Sequence, residues 1–309
     1  MYDLAQLPPW LRPVWQRLQQ LSAKPPAALL LSSAQNGDAH ALATPLLSAI
    51  LCTADVTERP CGQCRDCREV AAGTHPDLKH LQRPEDKREI VVDQIRQASQ
   101  WSTKTARAGR RVLYIQHADE LNRSAANAFL KTLEEPALGL CIVLSTRQWH
   151  RLPQTIRSRC VRIDVPAPGK QVFVGWAQQQ GWSSTRIQDA LEWAPGDALA
   201  AAQLSEQTQE TLARWRQAWR RGVEQGDTFE AAAMFDADDW PLALRWLQRR
   251  TLEWARSGAA AVLEEAWTAM LRQRRGEAIA TNRLLSIEAL IILLRRAHQK
   301  QPFAMETAA

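Results

Sequence analysis

Between Val112 and Leu144 the sequence sets a strand, a helix and a second strand in succession, and this unit narrows the possible folds further than any other stretch. Val112-Leu113-Tyr114-Ile115 is a short apolar run entering from the polar Arg107 to Arg111, which predicts a buried strand. Ala125, Ala126, Phe129, Leu130 and Leu133 then recur at intervals of three and four, the spacing of one helical face. Glu134-Glu135-Pro136 ends the pattern, because the residue before a proline is pushed out of the helical region. Cys141 to Leu144 is the next buried strand, with Ser145-Thr146-Arg147 as a polar turn after it. A crossover of this kind joins parallel strands, so the expectation is an α/β domain with helices covering the sheet.

A chain of 309 residues exceeds one compact core of average size, and two or three domains are expected. Hydrophobic content of 45% and charged content of 23% exclude disordered and fibrous classes. The net charge of +6 allows an anionic partner, but Arg249, Arg274 and Arg295 are dispersed through helical patterns and read as solvated surface. The apolar run Ala289 to Leu294 is far below the ~20 residues a bilayer requires. Met1 to Leu21 carries prolines and charges where a secretory signal needs an apolar centre. A cytoplasmic location follows, in which the six cysteines are thiols or metal ligands rather than disulfides.

Leu18 to Leu21 ends an amphipathic helix, Pro25-Pro26 breaks it, and Ala27 to Leu31 is the first candidate core strand. Ser32 to His40 lies between that strand and a helix from about Leu42 to Leu51, where a nucleotide-binding sheet carries its phosphate loop. The stretch has one glycine, no lysine, and an acidic Asp38 that would repel a triphosphate, so a turn without nucleotide is the better reading. Cys52, Cys61, Cys64 and Cys67 follow, four thiols within sixteen residues. The two-residue gaps let a tight knuckle, eased by Gly62, turn its sulfurs inward, and four sulfurs close a tetrahedral zinc without leaving a place for water. A structural zinc is expected. The alternatives are free core thiols, a redox pair, or His75 or His80 replacing Cys52.

Beyond the cysteines, His75-Pro76-Asp77 reads as a turn without catalytic role, Leu78 to Leu81 as a strand, and Ile90-Val91-Val92 as a return to the sheet before a helix on Ile95, Ala98 and Trp101. An ATPase would place paired carboxylates after the central strand to hold magnesium and orient water, and Gln116-His117 stand there instead. Asp119-Glu120 read as acids capping the start of the following helix. Val161 to Val165 alternates apolar residues with Arg162 and Asp164, as a strand toward the edge does, and Pro166 to Gly169 is a linker. Val172 to Gln180, Ser184 to Trp193 and Asp197 to Leu204 form three short helices. From Gln209 onward the periodicity is helical, with stripes on Trp215 and Trp219, on Leu242, Trp246 and Leu252, and on Leu263, Trp267 and Leu271, closed by Leu284 to Leu294. Most of the thirteen tryptophans read as core or interface anchors, with a stacking platform for nucleic-acid bases as the lesser alternative.

The cysteine quartet after the first sheet helix, the text Asn127-Ala128-Phe129-Leu130-Lys131-Thr132-Leu133-Glu134-Glu135-Pro136, and the turn Ser158-Arg159-Cys160 occur in that order. Together they resemble the delta-prime family of bacterial DNA polymerase III clamp-loader subunits, a branch of the AAA+ clamp-loader family. The resemblance covers about Ala28 to Leu204, and later residues only in helical character and in Asn282 to Leu294. It implies an AAA+ (RecA-like) parallel-sheet domain over 1–166 with a zinc module at 52–67, a small helical lid over 167–207 and an all-α collar over 208–309. It implies structural zinc on Cys52, Cys61, Cys64 and Cys67. It further implies a chain without a functional ATP site, since Ala39 stands where the phosphate-loop lysine would, Gln116-His117 replace the acidic pair, and Pro195-Gly196 replace the lid arginine. In that family the arginine of the Ser-Arg-Cys turn looks into the ATP site of the adjacent subunit, so Arg159 is implied as a finger acting in trans, with Arg157 beside it. From spacing alone, Arg159 would pair with an acid at the sheet edge. The implied partners are the gamma/tau ATPase subunits and delta, with the sliding clamp and primed DNA reached through the assembly, and no membrane. Two other classes stay open: an active ATPase of the same fold, marked by magnesium-dependent hydrolysis by the isolated chain, and a zinc-dependent nucleic-acid binder, marked by tight, salt-sensitive DNA binding.

Overall fold

Five strands, β1 (Ala28–Ser33), β2 (Leu78–Leu81), β3 (Arg111–Ile115), β4 (Leu140–Thr146) and β5 (Val161–Val165), form one parallel sheet in the order β2-β3-β4-β1-β5. The computed structural model describes residues 7–33, 36–55, 58–84, 87, 89–107, 109–193, 206–235, 239–274 and 283–302. Every residue of β1, β3 and β4 is buried, as the unbroken apolar runs predict for strands covered on both faces. The outer strands β2 and β5 keep exposed positions, and the alternation in β5 marks it as an edge.

Two boundaries differ from expectation for polar reasons. β3 starts one residue early at Arg111, which is buried because its guanidinium donates to the carbonyls of Trp101 (2.6 Å) and Thr105 (2.8 Å) and lies over the Trp101 ring. β4 runs on through Ser145 and Thr146, expected as a turn, because Ser32 pairs with Thr146 across the sheet and both hydroxyls have partners.

Successive strand side chains point to opposite faces. Leu30, Leu113, Ile115, Ile142 and Leu144 form one face's core with Ile95 and Ala98 of α4 (Val92–Ser102) and Ala125, Ala126, Phe129 and Leu133 of α5 (Arg123–Glu134). Phe129 is wholly buried there, and its truncation to alanine would cost about 3–5 kcal/mol. On the rest of the sheet, α2 (Asn36–Leu51) meets β1, β3 and β4, and α1 (Arg12–Ala23) meets α2. α2 begins at Asn36, earlier than Leu42, and its opening Asn-Gly-Asp consists of residue types that start helices. Ile90-Val91-Val92 does not rejoin the sheet: Ile90 forms one bridge to Leu121, Val91 caps α4, and Val92 is already helical.

The chain divides into two compact units, one reaching to Trp182 and the other made of Ser183–Trp193 together with the residues from Gln203 on. The first ends in α7 (Lys170–Gln179), and the second opens with α8 (Ser184–Trp193). The expected third short helix, Asp197 to Leu204, and the Pro195-Gly196 pair lie outside the described residues. In the second unit, helices Glu206–Trp219, Thr228–Ala233, Trp240–Trp254, Ala260–Arg274 and Arg283–Lys300 enclose a core in which Trp193, Trp215, Trp246, Trp219 and Trp254 form a run of ring contacts 5.9–6.2 Å apart. These rings are packing elements of that core. Gly222 is required at a close approach, since a β-carbon there would lie 2.5 Å from Ile291. Leu242 and Leu252, expected in the stripe, are 41% and 43% exposed. At about 100° per residue, Leu252 sits about 120° round from Trp246, and the buried stripe instead follows Ala243, Leu247 and Trp254. No described helix is long and apolar enough to cross a membrane.

Candidate metal centre and arginine surface

The four cysteines come together where α2 ends and α3 (Arg65–Ala71) begins, with all four Sγ atoms within 4.8 Å of one another. Cys52 Sγ lies 3.6 Å from Cys61 Sγ and 3.8 Å from Cys64 Sγ. Tetrahedral zinc with bonds near 2.3 Å separates its sulfurs by about 3.8 Å, whereas a disulfide needs about 2.05 Å, so the spacing fits a shared ion and all four are free thiols. Gly62 takes a left-handed φ of 70° between the first two knuckle cysteines, a conformation open to glycine at no steric cost. Cys64 then serves as N-cap of α3, its sulfur accepting the N–H of Cys67 at 3.3 Å, and Cys61 Sγ accepts the N–H of Cys64 at 3.3 Å.

These amides tune the thiols. Burial opposes ionisation of Cys64, yet N–H groups of Cys67 and Thr53 and the neighbouring thiols outweigh it and bring this thiol down to about 6. Burial pushes Cys52 and Cys67 the other way. A second thiolate beside the first is disfavoured by like charge, and a divalent cation among the sulfurs removes that conflict. Four thiolates would fill all four positions of a tetrahedral ion, the ligand set of structural rather than catalytic zinc.

Behind this cluster lies a polar network that the sequence did not disclose. His75 is buried rather than a plain turn residue: its Nδ1 accepts the N–H of Asp77 at 3.0 Å, which leaves Nε2–H to donate to Asp66 at 3.1 Å. Arg107 pairs with Asp66 and, at 2.8 Å, with Glu69, while its N–H donates to Asp77 at 2.8 Å. Burial would raise Asp66, but hydrogen bonds from Arg107 and His75 hold it below the usual carboxylate range, and Arg107 and Arg65 bring Glu69 down to about 2. Asp66, Glu69 and His75 have ligating atoms close enough for a second cation, but the Arg107 guanidinium already supplies the positive charge. The only signal in sequence was three acids and a histidine near the cysteines, without the arginine that arrives from forty residues on.

At the carboxyl end of the sheet, Gln116 Oε1 accepts from His80 Nε2 at 2.9 Å, and His117 takes a left-handed φ of 54° with its N–H on Ser145 Oγ at 3.3 Å. Asp119 and Glu120 lie on a 3-10 turn and do not cap α5, which Asn122 caps by accepting the N–H of Ala125 at 2.8 Å. Asp119 instead accepts from Thr146 Oγ1 (2.8 Å) and the Arg147 N–H (3.2 Å), and Glu120 pairs with Arg147 (2.8 Å) and Arg83 (3.1 Å). Ala39 is buried in α2.

Arg159 lies near the opposite end of α5, just after α6 (Gln154–Arg157). Its Nη2 donates to Glu134 Oε1 at 2.7 Å and its Nη1 to the Thr155 carbonyl at 2.9 Å, with the side chain 36% exposed. Arg157 turns elsewhere, onto the ring of Trp149, which Arg162 also covers at 4.0 Å. Cys160 is inert packing, its thiol pushed up to about 12 by burial.

Residues 12–168, which hold all of these features, match the family described as DNA polymerase III, delta subunit. The chain is 35% identical over 250 residues to DNA polymerase III subunit delta' of Escherichia coli, covering 77% of this chain and 73% of that one. The chain belongs to the delta' family of DNA polymerase III subunits. The delta' subunit of Pseudomonas aeruginosa is 29% identical over 320 residues, covering 94% of this chain and 97% of that one, so likeness to the delta' family reaches both units. In fold, a DNA polymerase III gamma subunit-related protein of Thermotoga maritima superposes with a TM-score of 0.53 over 92% of this chain and 99% of that one, at 18% identity. The chain thus shares the fold of that gamma-related protein and belongs to the delta' family.

Proposed function

We propose that this chain is a non-hydrolysing clamp-loader subunit. It joins the gamma/tau ATPase subunits and delta in an assembly that loads the sliding clamp on primed DNA, and it lends Arg159 in trans to a neighbouring ATP site. The domain plan that goes with this function is an AAA+ domain over 1–166, a lid over 167–207 and a collar over 208–309, with zinc held by Cys52, Cys61, Cys64 and Cys67 as a structural brace. The observation that carries the reading is the state of the acids after β3. Gln116 and His117 stand at the strand end, and Asp119 and Glu120 are taken up by Thr146, Arg147 and Arg83 rather than aimed at an open cation position.

The chemistry then divides between chains. A planar guanidinium is charged at every working pH and offers a fork of donors matched to phosphate oxygens. Placed against a transferring phosphoryl group, such an arginine accelerates hydrolysis by about three to five powers of ten, or ~4–7 kcal/mol of barrier. Zinc supplies no step; it ties α2 to α3 so that the sheet keeps its shape.

The test compares the isolated chain with a complete loader reconstituted from ATPase subunits, delta and this chain. The expected result is no magnesium-dependent ATP hydrolysis by the chain alone and DNA- and clamp-stimulated hydrolysis by the assembly. Turnover by the isolated chain would make it an active ATPase. Tight DNA binding by the isolated chain that weakens steeply with salt would move the reading to a nucleic-acid binder.

A further inference from the structure

Arg159 is held from two directions. Thr155 and Ser158, in its own turn, accept from Nη1 at 2.9 and 3.4 Å, and Glu134, the last residue of α5, accepts from Nη2 at 2.7 Å. Glu134 therefore fixes the guanidinium from a separate element, one anchored to the core through Phe129 and Leu133. With side chains 49% and 36% exposed, an ion pair of this kind adds almost nothing to folding. Its physical effect is on order: a long arginine side chain otherwise spreads over many rotamers, and ordering it beforehand removes that cost from the step in which it binds.

The arrangement also leaves room for a second anion. Arginine carries five N–H donors, and Glu134, Thr155 and Ser158 engage three of them, so two are left to meet an oxyanion while the carboxylate stays in place. The neighbouring acid, Glu135, follows the end of the helix, where the backbone departs to φ −126°, and it makes no such bond to Arg159.

We infer that Glu134 is a positioning residue, whose carboxylate holds the Arg159 guanidinium in the orientation from which it meets the phosphate of a nucleotide on the adjacent subunit. This inference rests on the trans reading of Arg159. Neither helix end nor ion pair is the site by itself; the ligand is the neighbour's nucleoside triphosphate, and Glu134 acts on it only through Arg159.

The experiment is a double-mutant cycle on DNA- and clamp-stimulated ATP hydrolysis by the reconstituted loader, with assembly of each variant verified by size exclusion. Glu134→Ala is expected to lower kcat by roughly fivefold, the worth of one fixing hydrogen bond, and to leave the KM for ATP within about twofold. Glu134→Gln, which keeps an acceptor, restores most of the rate. In an Arg159→Ala background Glu134→Ala causes no further loss, because the two residues act as one. Glu134→Lys, which repels the guanidinium, lowers kcat at least as far as the alanine variant and supplies a second measure of the same effect. A slowing by Glu134→Ala that persists undiminished without Arg159 overturns the inference, as does an unchanged or raised kcat while Arg159→Ala still slows the loader; the trans role of Arg159 survives both results. An intact loader unaffected by Arg159→Ala removes that trans role, and the inference with it.

Discussion

The cysteine cluster and the arginine surface lie on the same α/β unit and differ in where their chemistry is completed. Four sulfurs within 4.8 Å of one another, two amides that cap them and the Arg107 network behind them all belong to one chain. Among the described residues Arg159 is held by a surface carboxylate and by its own turn, with donors left over. On the proposed function, the site complete within its chain acts on folding, and Arg159 acts when another chain arrives. Substitutions in the first should therefore destabilise the protein, and substitutions in the second should leave it folded and change the assembly.

The largest effect is expected at the cysteines. Structural zinc in small modules contributes apparent free energies of ~10–16 kcal/mol, so Cys64→Ala or exhaustive chelation should cost several kcal/mol and lower the melting temperature sharply. The check is one zinc per chain by metal analysis in the parent protein and well under one in the variant. Full zinc occupancy with an unchanged melting temperature in Cys64→Ala would break the first half of the comparison.

A smaller loss is expected at Arg107. Its removal leaves Asp66 buried with His75 alone, and a loss of stability smaller than that at the cysteines is expected by denaturant unfolding. The dependence on pH has a definite sign. Asp66 and Glu69 are depressed relative to the unfolded chain, so their stabilisation is present above about pH 4 and is lost as acid protonates them, toward about 2 for Glu69. The gap in stability between the parent protein and Arg107→Ala should narrow as pH falls below about 4, because any acid release of zinc is common to both. A gap that stays constant down to pH 3 would detach the network from the fold.

The smallest effects belong to the arginine surface. Leu138, 107% exposed just beyond Glu134-Glu135-Pro136, should tolerate serine within about 0.5 kcal/mol, and Arg159→Ala should cost at most ~1 kcal/mol of stability. Thermal melts of the isolated variants check both.

Sequence patterns carried the sheet well wherever burial is one-sided or complete. The unbroken runs in β1, β3 and β4 are central strands and the alternating Val161 to Val165 is an edge, since side-chain period and burial are the same information. Cysteine spacing marked the cluster because the ligands are close along the chain. Long-range polar partnerships were not visible: His75 and Asp66 are joined by Arg107, and Asp119 and Glu120 by Thr146, Arg147 and Arg83, none of which a local pattern connects. Leu252 falls outside the buried stripe because six residues at about 100° each put it about 120° round the helix from Trp246. The pairing of Arg159 with Glu134 was foreseeable only as some acid at the sheet edge, since twenty-five residues separate the two.

The central claim is tested most directly by DNA- and clamp-stimulated ATP hydrolysis in a loader reconstituted from its ATPase subunits, delta and this chain, parent or Arg159→Ala. A loader that assembles normally but hydrolyses markedly less with Arg159→Ala is the predicted result. Unchanged hydrolysis in an intact assembly would contradict it, and Arg159 would then be a surface partner of Glu134 and nothing more.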